Sequence, residues 1–588
     1  MLELTDRLTG AIADNLQSHF ATSPTLARLL AARGISDVAQ MDMHTAALLP
    51  SKDLLGLQAA VSVIDGAIDA GKKILIVGDF DCDGATSTAL MVRCLRKMGA
   101  NVSFVVPDRF KFGYGLTPEI VEFAVAQFAP ELIITVDNGI VSHDGVACAK
   151  SLGVDVVITD HHLTTMHAPD AHAVVNPNQL DCTFASKSLV GVGVAFYVMG
   201  SLAKHRRELG KSSTQVSRYL DLVALGTVAD VGQLDQNNRI LVTHGLKQIR
   251  DGECCLGILA ILEQASRRRD EITAADFGFA IAPRINAAGR MDNMKIGIEC
   301  LLADDWQSAR ELAHQLNRLN IERRQVEQQM KDEAHATLET LGFGEDKTDI
   351  DSSLTPTKRA VVLYQDDWHQ GVIGIVAGRI KEKLYRPAII FAPSDTAKTG
   401  DTDFIKGSAR SIAGVHIRDA IEAVAQAYPH LITHFGGHAM AAGLTIQRRY
   451  FDEFAAAFDE IMHRFDETVF NEQKFTDGRL IPQDFSLAFV NTLQNFTVWG
   501  HGFLPPVFDG VFVVLQTKIL KDKHLKLTLT HAGVEYPIDA IWFNYDPKKW
   551  DYRASKVHVL FELSINEWQG SQNLQLMVKD LAVCEIAA

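Results

Sequence analysis

Short apolar runs alternate with longer amphipathic stretches over residues 51–162, and this alternation predicts a parallel, doubly wound α/β sheet. Apolar runs of five to eight residues are typical of buried strands, whereas apolar positions three or four residues apart are typical of helices. The predicted strands cover 72–79, 101–108, 131–137 and 155–162. The predicted helices cover 53–71, 85–99, 117–129 and 143–153.

Acidic residues and histidines follow these apolar runs. They are Asp79 at the end of the first strand with Asp81 and Asp83 just beyond it, Asp137 at the end of the third, Asp160, His161 and His162 at the end of the fourth, and Asp230 after a further apolar segment over 220–229. A single Asp after a strand is usually a turn former or a helix cap. Parallel strands, however, deliver their carboxyl ends to one edge, where ligands bind in open α/β sheets. Because so many acids at one edge repel one another, the pattern predicts a divalent metal site.

The types of donor restrict the metal. Mostly oxygen ligands with one or two imidazoles suit Mn²⁺ or Mg²⁺ better than Zn²⁺, which prefers more nitrogen or sulfur. Two ions bridged by one carboxylate would use this number of acids. The donors do not distinguish Mn²⁺ from Mg²⁺.

The remaining pattern divides the chain into further regions. Residues 1–50 are a lead-in with no evident chemistry, 306–342 form a long amphipathic helix, 343–470 are a second α/β region, and 471–588 hold five short β runs typical of an OB-like barrel. Arg109, in a basic loop after the second strand, is a candidate for a phosphate contact, and Arg284 and Arg290 flank a predicted tight small-residue loop. Ser408, Arg410 and His438 lie in predicted glycine-rich turns, and Lys518, Lys521, Lys523, Lys526, Trp542 and Phe543 in the barrel suit single-stranded DNA.

Composition and charge exclude some classes of protein. With 47% hydrophobic and 22% charged residues over 588 positions, the chain is an ordinary multidomain globular protein. A net charge of -15 argues against a polybasic tail, so any nucleic-acid site is a local groove. The eight cysteines form no CxxC pair, and we find neither a signal peptide nor a membrane-length apolar stretch. We expect a cytoplasmic protein with reduced thiols.

Five motifs carry a family resemblance. DFDCDG at 79–84, VDNG at 136–139, DHH at 160–162 and GTVADV at 226–231 resemble the four motifs of the DHH phosphoesterase superfamily, and GGHAMAAG at 436–443 resembles its accessory DHHA1 domain. With RINAAGRM at 284–291 and the C-terminal NEWQGSQNLQLMVKDL, nearly the whole chain is similar to the bacterial single-strand-specific 5′ to 3′ DNA exonucleases of this superfamily. The implied architecture is a parallel-sheet DHH domain over 51–305, a linking helix, a DHHA1 domain and an OB-like barrel.

The resemblance also implies roles for individual residues. Asp81 and Asp83 would hold one ion each and Asp137 would bridge the two ions. His161 and Asp230 would complete the shell of the second ion, and His162 would lie by the scissile phosphate or the first ion. Asp160, His161 and His162 would form the catalytic group. Val77 stands where pyrophosphatase members have a histidine, so the ligands of the first ion stay open, with Asp79 as the substitute.

For the substrate, the resemblance implies contacts from Arg109, Arg284, Ser408, Arg410 and His438, the last three in a pocket for the 5′-terminal phosphate. The expected function is metal-dependent 5′ to 3′ digestion of single-stranded DNA in repair and recombination, by a monomer that works with single-strand-binding protein and a helicase. The main alternative is a phosphodiesterase of short oligonucleotides or cyclic dinucleotides, which would have little use for the barrel. An aspartate-nucleophile phosphatase would leave Asp160, His161 and His162 unexplained, and a decayed scaffold should have lost ligands.

Overall fold

The computed structural model describes residues 1–107, 115–164, 166–339, 358–394, 403–568 and 570–586. In chain order, the strands are β1 Thr5–Asp6, β2 Lys73–Val77, β3 Asn101–Val105, β4 Leu132–Val136, β5 Asp155–Thr159, β6 Ala173–Val175, β7 Val361–Tyr364, β8 Ala388–Pro393, β9 Phe404–Arg410, β10 His434–Gly437, β11 Ala441–Gln447, β12 Phe475–Thr476, β13 Phe508–Leu520, β14 His524–Thr530, β15 Ile538–Trp542, β16 Ala554–Trp568 and β17 Ser571–Ile586.

The α-helices are α1 Asp14–His19, α2 Pro24–Ala31, α3 Leu57–Asp69, α4 Cys82–Lys97, α5 Pro118–Phe128, α6 His143–Ser151, α7 Gly191–Glu208, α8 Leu220–Ala229, α9 Gln236–Asp251, α10 Leu256–Gln264, α11 Ala274–Asp276, α12 Ala282–Met291, α13 Lys295–Leu302, α14 Trp306–Leu338, α15 Ile373–Leu384, α16 Ile417–Ala427, α17 Phe451–Met462 and α18 Leu487–Phe496. Two compact units contain them. The first unit comprises residues 1–283, 297–313 and 473–588, and the second comprises 284–296 and 314–472.

The first unit contains the predicted parallel sheet. Its strand order is β3-β2-β4-β5-β6, and every pairing is parallel. All four predicted strands are present. The apolar runs of β2, β4 and β5 are buried, as in the fully buried LIITV of β4, whereas the edge strand β3 is only partly buried. The three-residue β6 was not predicted, since AVV is too short to give a periodic signal. The apolar segment that leads to Asp230 is a helix, α8, and not a strand.

The C-terminal part of the first unit is a closed barrel with strand order β13-β14-β15-β17-β16. The OB-like prediction is therefore confirmed. The core of the barrel includes Phe508, Phe512 and Phe561, and Trp542 belongs to the same core with 7% exposure. Trp542 is thus a packing residue, whereas the neighbouring Phe543 is 49% exposed.

The second unit is built on a mixed sheet, β10-β11-β9-β8-β7, in which β7 and β8 are parallel and the other pairs are antiparallel. The long helix α14 confirms the predicted connecting helix. Two local predictions were wrong. RINAAGRM lies in α12 and is not a loop, because alanine and arginine favour a helix more than this short pattern suggested. Ser408 and Arg410 lie in strand β9 and not in a turn, since Gly407 lets the strand pass closely over Phe391.

Within the described ranges, no single helix is long and apolar enough to cross a membrane. One bent pair, Thr45–Asp53 with Leu57–Asp69, meets the criteria of length and composition together, with a bend of 87°.

A buried aspartate joins the start of the chain to the barrel region. β1 pairs in parallel with β12, and Asp477 follows β12 with 3% exposure. The Asp477 carboxylate accepts hydrogen bonds from Arg7 Nη1 at 2.8 Å, from Arg33 Nη1 and Nη2 at 3.0 Å each, and from the Val507 N–H at 2.9 Å. The buried guanidinium of Arg33 and the partly buried guanidinium of Arg7 therefore share one buried carboxylate.

We predict that Asp477→Ala lowers the free energy of unfolding by about 3–5 kcal/mol, because it leaves the buried Arg33 and the partly buried Arg7 without their shared counter-ion. Urea titration followed by tryptophan fluorescence measures this, since Trp542 and Trp550 lie in the barrel core and Trp499 packs against it. The control is Asp551→Ala, which breaks the exposed Arg553–Asp551 pair and should cost less than about 1 kcal/mol. Equal midpoints for the two variants would contradict this assignment.

Candidate metal centre

Three neighbouring strands of the parallel sheet end at the same edge. β2 ends at Val77, β4 at Val136 and β5 at Thr159, and these strands pair in register in that order. The polar residues that follow are Asp79, Asp81 and Asp83 after β2, Asp137 after β4, and Asp160, His161 and His162 after β5. These polar residues therefore lie together at the carboxyl edge of the parallel sheet, as the sequence predicted.

Among the residues that the structure describes, the side chains that could hold metal form three overlapping groups. In each group one ligand atom per residue lies within 4.8 Å of the others. The groups are Asp79, Asp81 and Asp137; Asp83, His161 and Asp230; and Asp137, His161 and His162. Asp137 and His161 each belong to two groups, so they are the centre of the cluster. All six residues predicted as metal ligands are in one of these groups.

His161 contacts three carboxylates. Its Nε2 lies 3.0 Å from Asp137 Oδ1, 3.6 Å from Asp230 Oδ2 and 3.9 Å from Asp83 Oδ2. Asp230 follows the C-terminal end of α8, and the next residue, Val231, has a φ of 56°. A β-branched residue in the left-handed region is unusual and strained, so the surrounding structure holds this turn in place. Asp137 has a φ of 62° as well.

Two helix N-termini face the acids. Asp81 caps α4 by accepting a hydrogen bond from the Gly84 N–H at 3.0 Å. The Asp83 carboxylate accepts from the Gly191 N–H at 2.6 Å and the Val192 N–H at 2.9 Å, at the start of α7. Because helix N-termini carry partial positive charge, both helices offset part of the repulsion among the carboxylates.

The positive charge near the cluster is nevertheless too small to keep all of its buried carboxyl groups ionised. Burial, and then the neighbouring Asp81, raise the pKa of Asp83 to about 7. Burial also raises the pKa of Asp137 and of Asp230 well above the usual value, with further contributions from the nearby aspartates. Five converging carboxylates with one or two imidazoles fit a divalent cation, which would allow all of them to ionise together.

Asp160 orients the histidine pair. It is 1% exposed, and its Oδ1 accepts hydrogen bonds from the backbone N–H groups of His161 at 2.7 Å and His162 at 3.1 Å, while Oδ2 accepts from the Ile140 N–H at 2.8 Å. His162 Nδ1 lies 2.7 Å from Asp160 Oδ1. Burial, the largest single effect, favours the neutral forms. The Asp160–His162 hydrogen bond and the attraction between the charged groups around it together outweigh burial, lowering the pKa of Asp160 and raising the pKa of His162 to about 9.

Sequence reasoning missed residues that hold the site together. The buried Asn138 donates through Nδ2 to the carbonyls of Val77 at 3.2 Å and Val136 at 2.9 Å, so it joins the ends of β2 and β4. Gly191 lies so close to Asp137 that an added Cβ would be 2.7 Å from Asp137 Oδ1. The sequence offers one signal for Asn138, its place directly after a predicted ligand, and none for Gly191.

The predicted substrate-binding residues are placed in different surroundings. Arg109 lies outside the described residues. Arg284 Nε donates to Asn317 Oδ1 at 3.0 Å within the second unit, and His438 is in the β10–β11 turn, where its N–H donates to the Ala441 carbonyl at 2.8 Å. Arg410 Nη1 donates to Ser408 Oγ at 3.1 Å and to the Ala409 carbonyl at 2.8 Å.

Arg410 is half-buried beside the N-terminus of α15. An added Cβ on Gly374, in the first turn of that helix, would lie 2.8 Å from the Arg410 guanidinium and 2.9 Å from Ser408 Oγ. Burial lowers the pKa of Arg410, and the described part of the chain gives its guanidinium no carboxylate partner. A guanidinium, a hydroxyl and a helix N-terminus are a suitable set of donors for a phosphate.

Comparison with known proteins agrees with this fold and site. The model of the DHH family N-terminal domain matches residues 73–227, that of the DHHA1 domain matches 357–464, and that of the RecJ OB domain matches 476–580. The single-stranded-DNA-specific exonucleases RecJ of Salmonella typhimurium and Escherichia coli are 44% and 43% identical to this chain, each over 95% of this chain and 96% of the relative.

Solved structures show the same similarity. The crystal structure of RecJ in complex with Mn²⁺ from Thermus thermophilus has a TM-score of 0.79 and 28% identity, and the match covers 100% of this chain and 79% of that one. The Mg²⁺ complex from the same organism has a TM-score of 0.73, and the match covers 78% of that chain.

The fold and the acidic edge together define a phosphoesterase of the DHH type with a DHHA1 domain. At 44% identity over 95% of its length, the chain belongs to the RecJ family of single-stranded-DNA-specific exonucleases.

We predict that Gly191→Ala weakens Mn²⁺ binding by about 10-fold or more, because the added methyl group displaces the Asp137 carboxylate from the centre of the cluster. Isothermal titration calorimetry with Mn²⁺ measures this directly. Gly200→Ala is a matched control on the same helix α7, since a Cβ there meets nothing within 4 Å. The control should bind Mn²⁺ as the wild type does and gain up to about 1 kcal/mol of helix stability. Unchanged Mn²⁺ affinity in Gly191→Ala would contradict the placement of Asp137.

Proposed function

We propose that the chain hydrolyses single-stranded DNA from its 5′ end by means of two divalent cations held at the acidic edge of the parallel sheet. The observation that supports the proposal most strongly is the gathering of five aspartates and His161 at one edge, with Asp137 and His161 each shared between two groups. A site with shared central ligands suits two neighbouring ions better than one.

The residues present have defined roles in this proposal. Asp81, Asp83, Asp137, His161 and Asp230 would hold the ions, with Asp79 in the position left open by Val77. When bound, two divalent ions lower the pKa of a shared water and neutralise charge on the phosphate that it attacks. Either Mn²⁺ or Mg²⁺ suits this mostly oxygen donor set, and solved relatives contain each of them.

The histidine pair would then act on the phosphate. Asp160 keeps His162 protonated near neutral pH, because the pKa of His162 is raised to about 9. A protonated imidazole at this edge is a hydrogen-bond donor for a non-bridging oxygen of the scissile phosphate, where negative charge grows during attack. Asp160 itself would orient and charge the imidazole and would not bind the substrate.

In the second unit, we assign the terminal phosphate to Arg410 and Ser408, with His438 and Arg284 as further substrate contacts. A pocket for the chain end restricts cleavage to the terminus. In the barrel, Lys518, Lys521 and Lys523 with the exposed Phe543 would contact the strand. Lys526 is instead paired with Asp539 at 2.8 Å.

The cellular setting is also part of the proposal. We expect a monomer in the cytoplasm that acts in DNA repair and recombination, alongside single-strand-binding protein and a helicase.

We predict a 5′ to 3′ ladder of products from a 3′-labelled single strand in the presence of Mn²⁺ or Mg²⁺, and no products from a blunt duplex. Asp137→Asn should reduce kcat by about 10²–10³-fold or more, because it removes a preorganised charge from the centre of the site. Asp155→Asn is the control: Asp155 begins β5 at the opposite edge of the sheet and pairs with Lys72 and His172. Cleavage of a dinucleotide alone would favour the oligonucleotide phosphodiesterase instead.

We further predict that Arg410→Ala reduces the preference for 5′-phosphorylated over 5′-hydroxyl strands by about 10- to 100-fold, the equivalent of ~1.5–3 kcal/mol for a charge-assisted hydrogen bond. Competition between the two substrates measures the ratio of their kcat/KM values. Arg418→Ala is the matched control, because Arg418 is exposed on α16 and pairs with Asp419 and Glu422. An equal loss of kcat/KM on both strands would contradict the assignment of the terminal phosphate to Arg410.

A further inference from the structure

The loop that follows β6 contains two asparagines around a proline, Asn176-Pro177-Asn178. β6 is only three residues long, and it pairs in parallel with β5, the strand that leads to Asp160. The loop therefore begins at the same edge as the metal cluster. Asn176 is fully buried, so its amide needs specific partners.

Both asparagines bind the backbone of the histidine pair. Asn178 Nδ2 donates to the His161 carbonyl at 2.6 Å, and Asn176 Nδ2 donates to the His162 carbonyl at 3.0 Å. The two side chains are also linked to each other, since Asn176 Oδ1 accepts from the Asn178 N–H at 2.7 Å. Asp160 already binds the N–H groups of the same two histidines from the other side.

These contacts fix three consecutive peptide planes. The plane before His161 is held through its N–H by Asp160, and the plane between the histidines is held through its N–H by Asp160 and through its carbonyl by Asn178. The plane after His162 is held through its carbonyl by Asn176. The direction of a Cα–Cβ bond is set by the two peptide planes that flank it. The directions of both imidazoles are therefore set by Asp160 and the two asparagines together.

We propose that Asn176 and Asn178 are positioning residues that aim His161 and His162 into the metal centre. This inference rests on the proposed function, because it concerns residues that act on that same site. Neither asparagine contacts the metal-binding carboxylates in the contacts of the described residues; they act through the backbone of the histidines.

Lys187 supports the loop from outside. Its Nζ donates to the Pro177 carbonyl at 2.6 Å and to the Cys182 carbonyl at 2.7 Å, and its own carbonyl accepts from Asn178 Nδ2 at 3.1 Å. Lys187 is thus bound to the proline between the two asparagines and to one asparagine directly. Loss of its ammonium should loosen the loop without altering either asparagine.

Asn178→Ala is the main test, in the full-length chain. Mn²⁺ affinity, measured by isothermal titration calorimetry without any substrate, should fall by about 10- to 100-fold, as is typical when a group that orients a metal ligand is removed. On single-stranded DNA, kcat should fall while KM changes little, because the proposed strand contacts of the second unit and the barrel are intact and the His162 contact acts mainly during attack. Wild-type Mn²⁺ affinity in Asn178→Ala would overturn the inference.

Gln248→Ala is the matched control, since Gln248 Nε2 also donates to a backbone carbonyl, that of Ser217 at 2.6 Å, in the same unit. It should lower the melting temperature of the metal-free chain as much as Asn178→Ala does and leave Mn²⁺ affinity unchanged. An equal loss of Mn²⁺ affinity in the control would show general loosening and would overturn the inference. A wild-type chain that binds Mn²⁺ and cleaves no single-stranded DNA would overturn the proposed function, while the affinities would still decide this inference.

Lys187→Met is a second variant that keeps the test decisive if Asn178→Ala does not fold. It removes a positive charge, which by electrostatics alone would strengthen the binding of a cation. The positioning role requires the opposite, a weaker affinity for Mn²⁺. An affinity equal to or above that of the wild type would overturn the inference.

Discussion

The first unit depends on one constraint: several carboxylates of like charge must be held close together in a largely buried site. Asp79, Asp81, Asp83, Asp137 and Asp230 converge where the sheet, α4, α7 and α8 meet, and most of them are shielded from water. Their mutual repulsion and their desolvation both oppose folding without a cation. The start of α4 and the start of α7 supply part of the compensation through their N–H groups, and His161 supplies another part. Folding and metal binding are therefore linked in this unit.

That constraint explains the close packing around the cluster. Helices α7 and α8 approach the acids through glycines: a Cβ on Gly191 would clash with Asp137, and one on Gly226 would lie 2.8 Å from Asp83 Oδ1. Polar side chains close the remaining gaps, as Asn138 does between β2 and β4. The acids are consequently held by backbone and by short side chains, which lose little entropy when they are fixed. A rigid arrangement of this kind suits ligands that must keep their spacing while substrate and product exchange.

The sequence was a good guide wherever period and topology determine position. Asp79, Asp137 and Asp160 follow buried apolar runs, and in a parallel sheet that alone places them at one edge. It was a poor guide where an apolar run is compatible with both a strand and a helix. The segment before Asp230 is as apolar as a buried strand but is long enough for a helix, and it forms the helix α8. It failed for RINAAGRM, where the helix propensity of alanine and arginine outweighed the loop signal, and for Ser408 and Arg410, where packing of the strand over Phe391 decided the conformation. It could not reveal Asn176 and Asn178, since their hydrogen bonds to the carbonyls of the histidine pair, 14 and 17 positions away, depend on how the loop after β6 folds back and leave no periodic signal.

The pairing of β1 with β12 has a consequence for the synthesis of the protein. Thr5 is paired with Phe475, 470 positions further along the chain. A ribosome that adds 5–20 residues per second needs roughly 25 to 95 s to cover that distance. The strands β2 to β6 are synthesised long before β12. The catalytic sheet can therefore form while Arg7 and Arg33 are still solvated, because their partner Asp477 has not yet been made. A nascent chain interrupted before β12 would therefore contain every aspartate of the acidic edge and yet leave its first segment undocked.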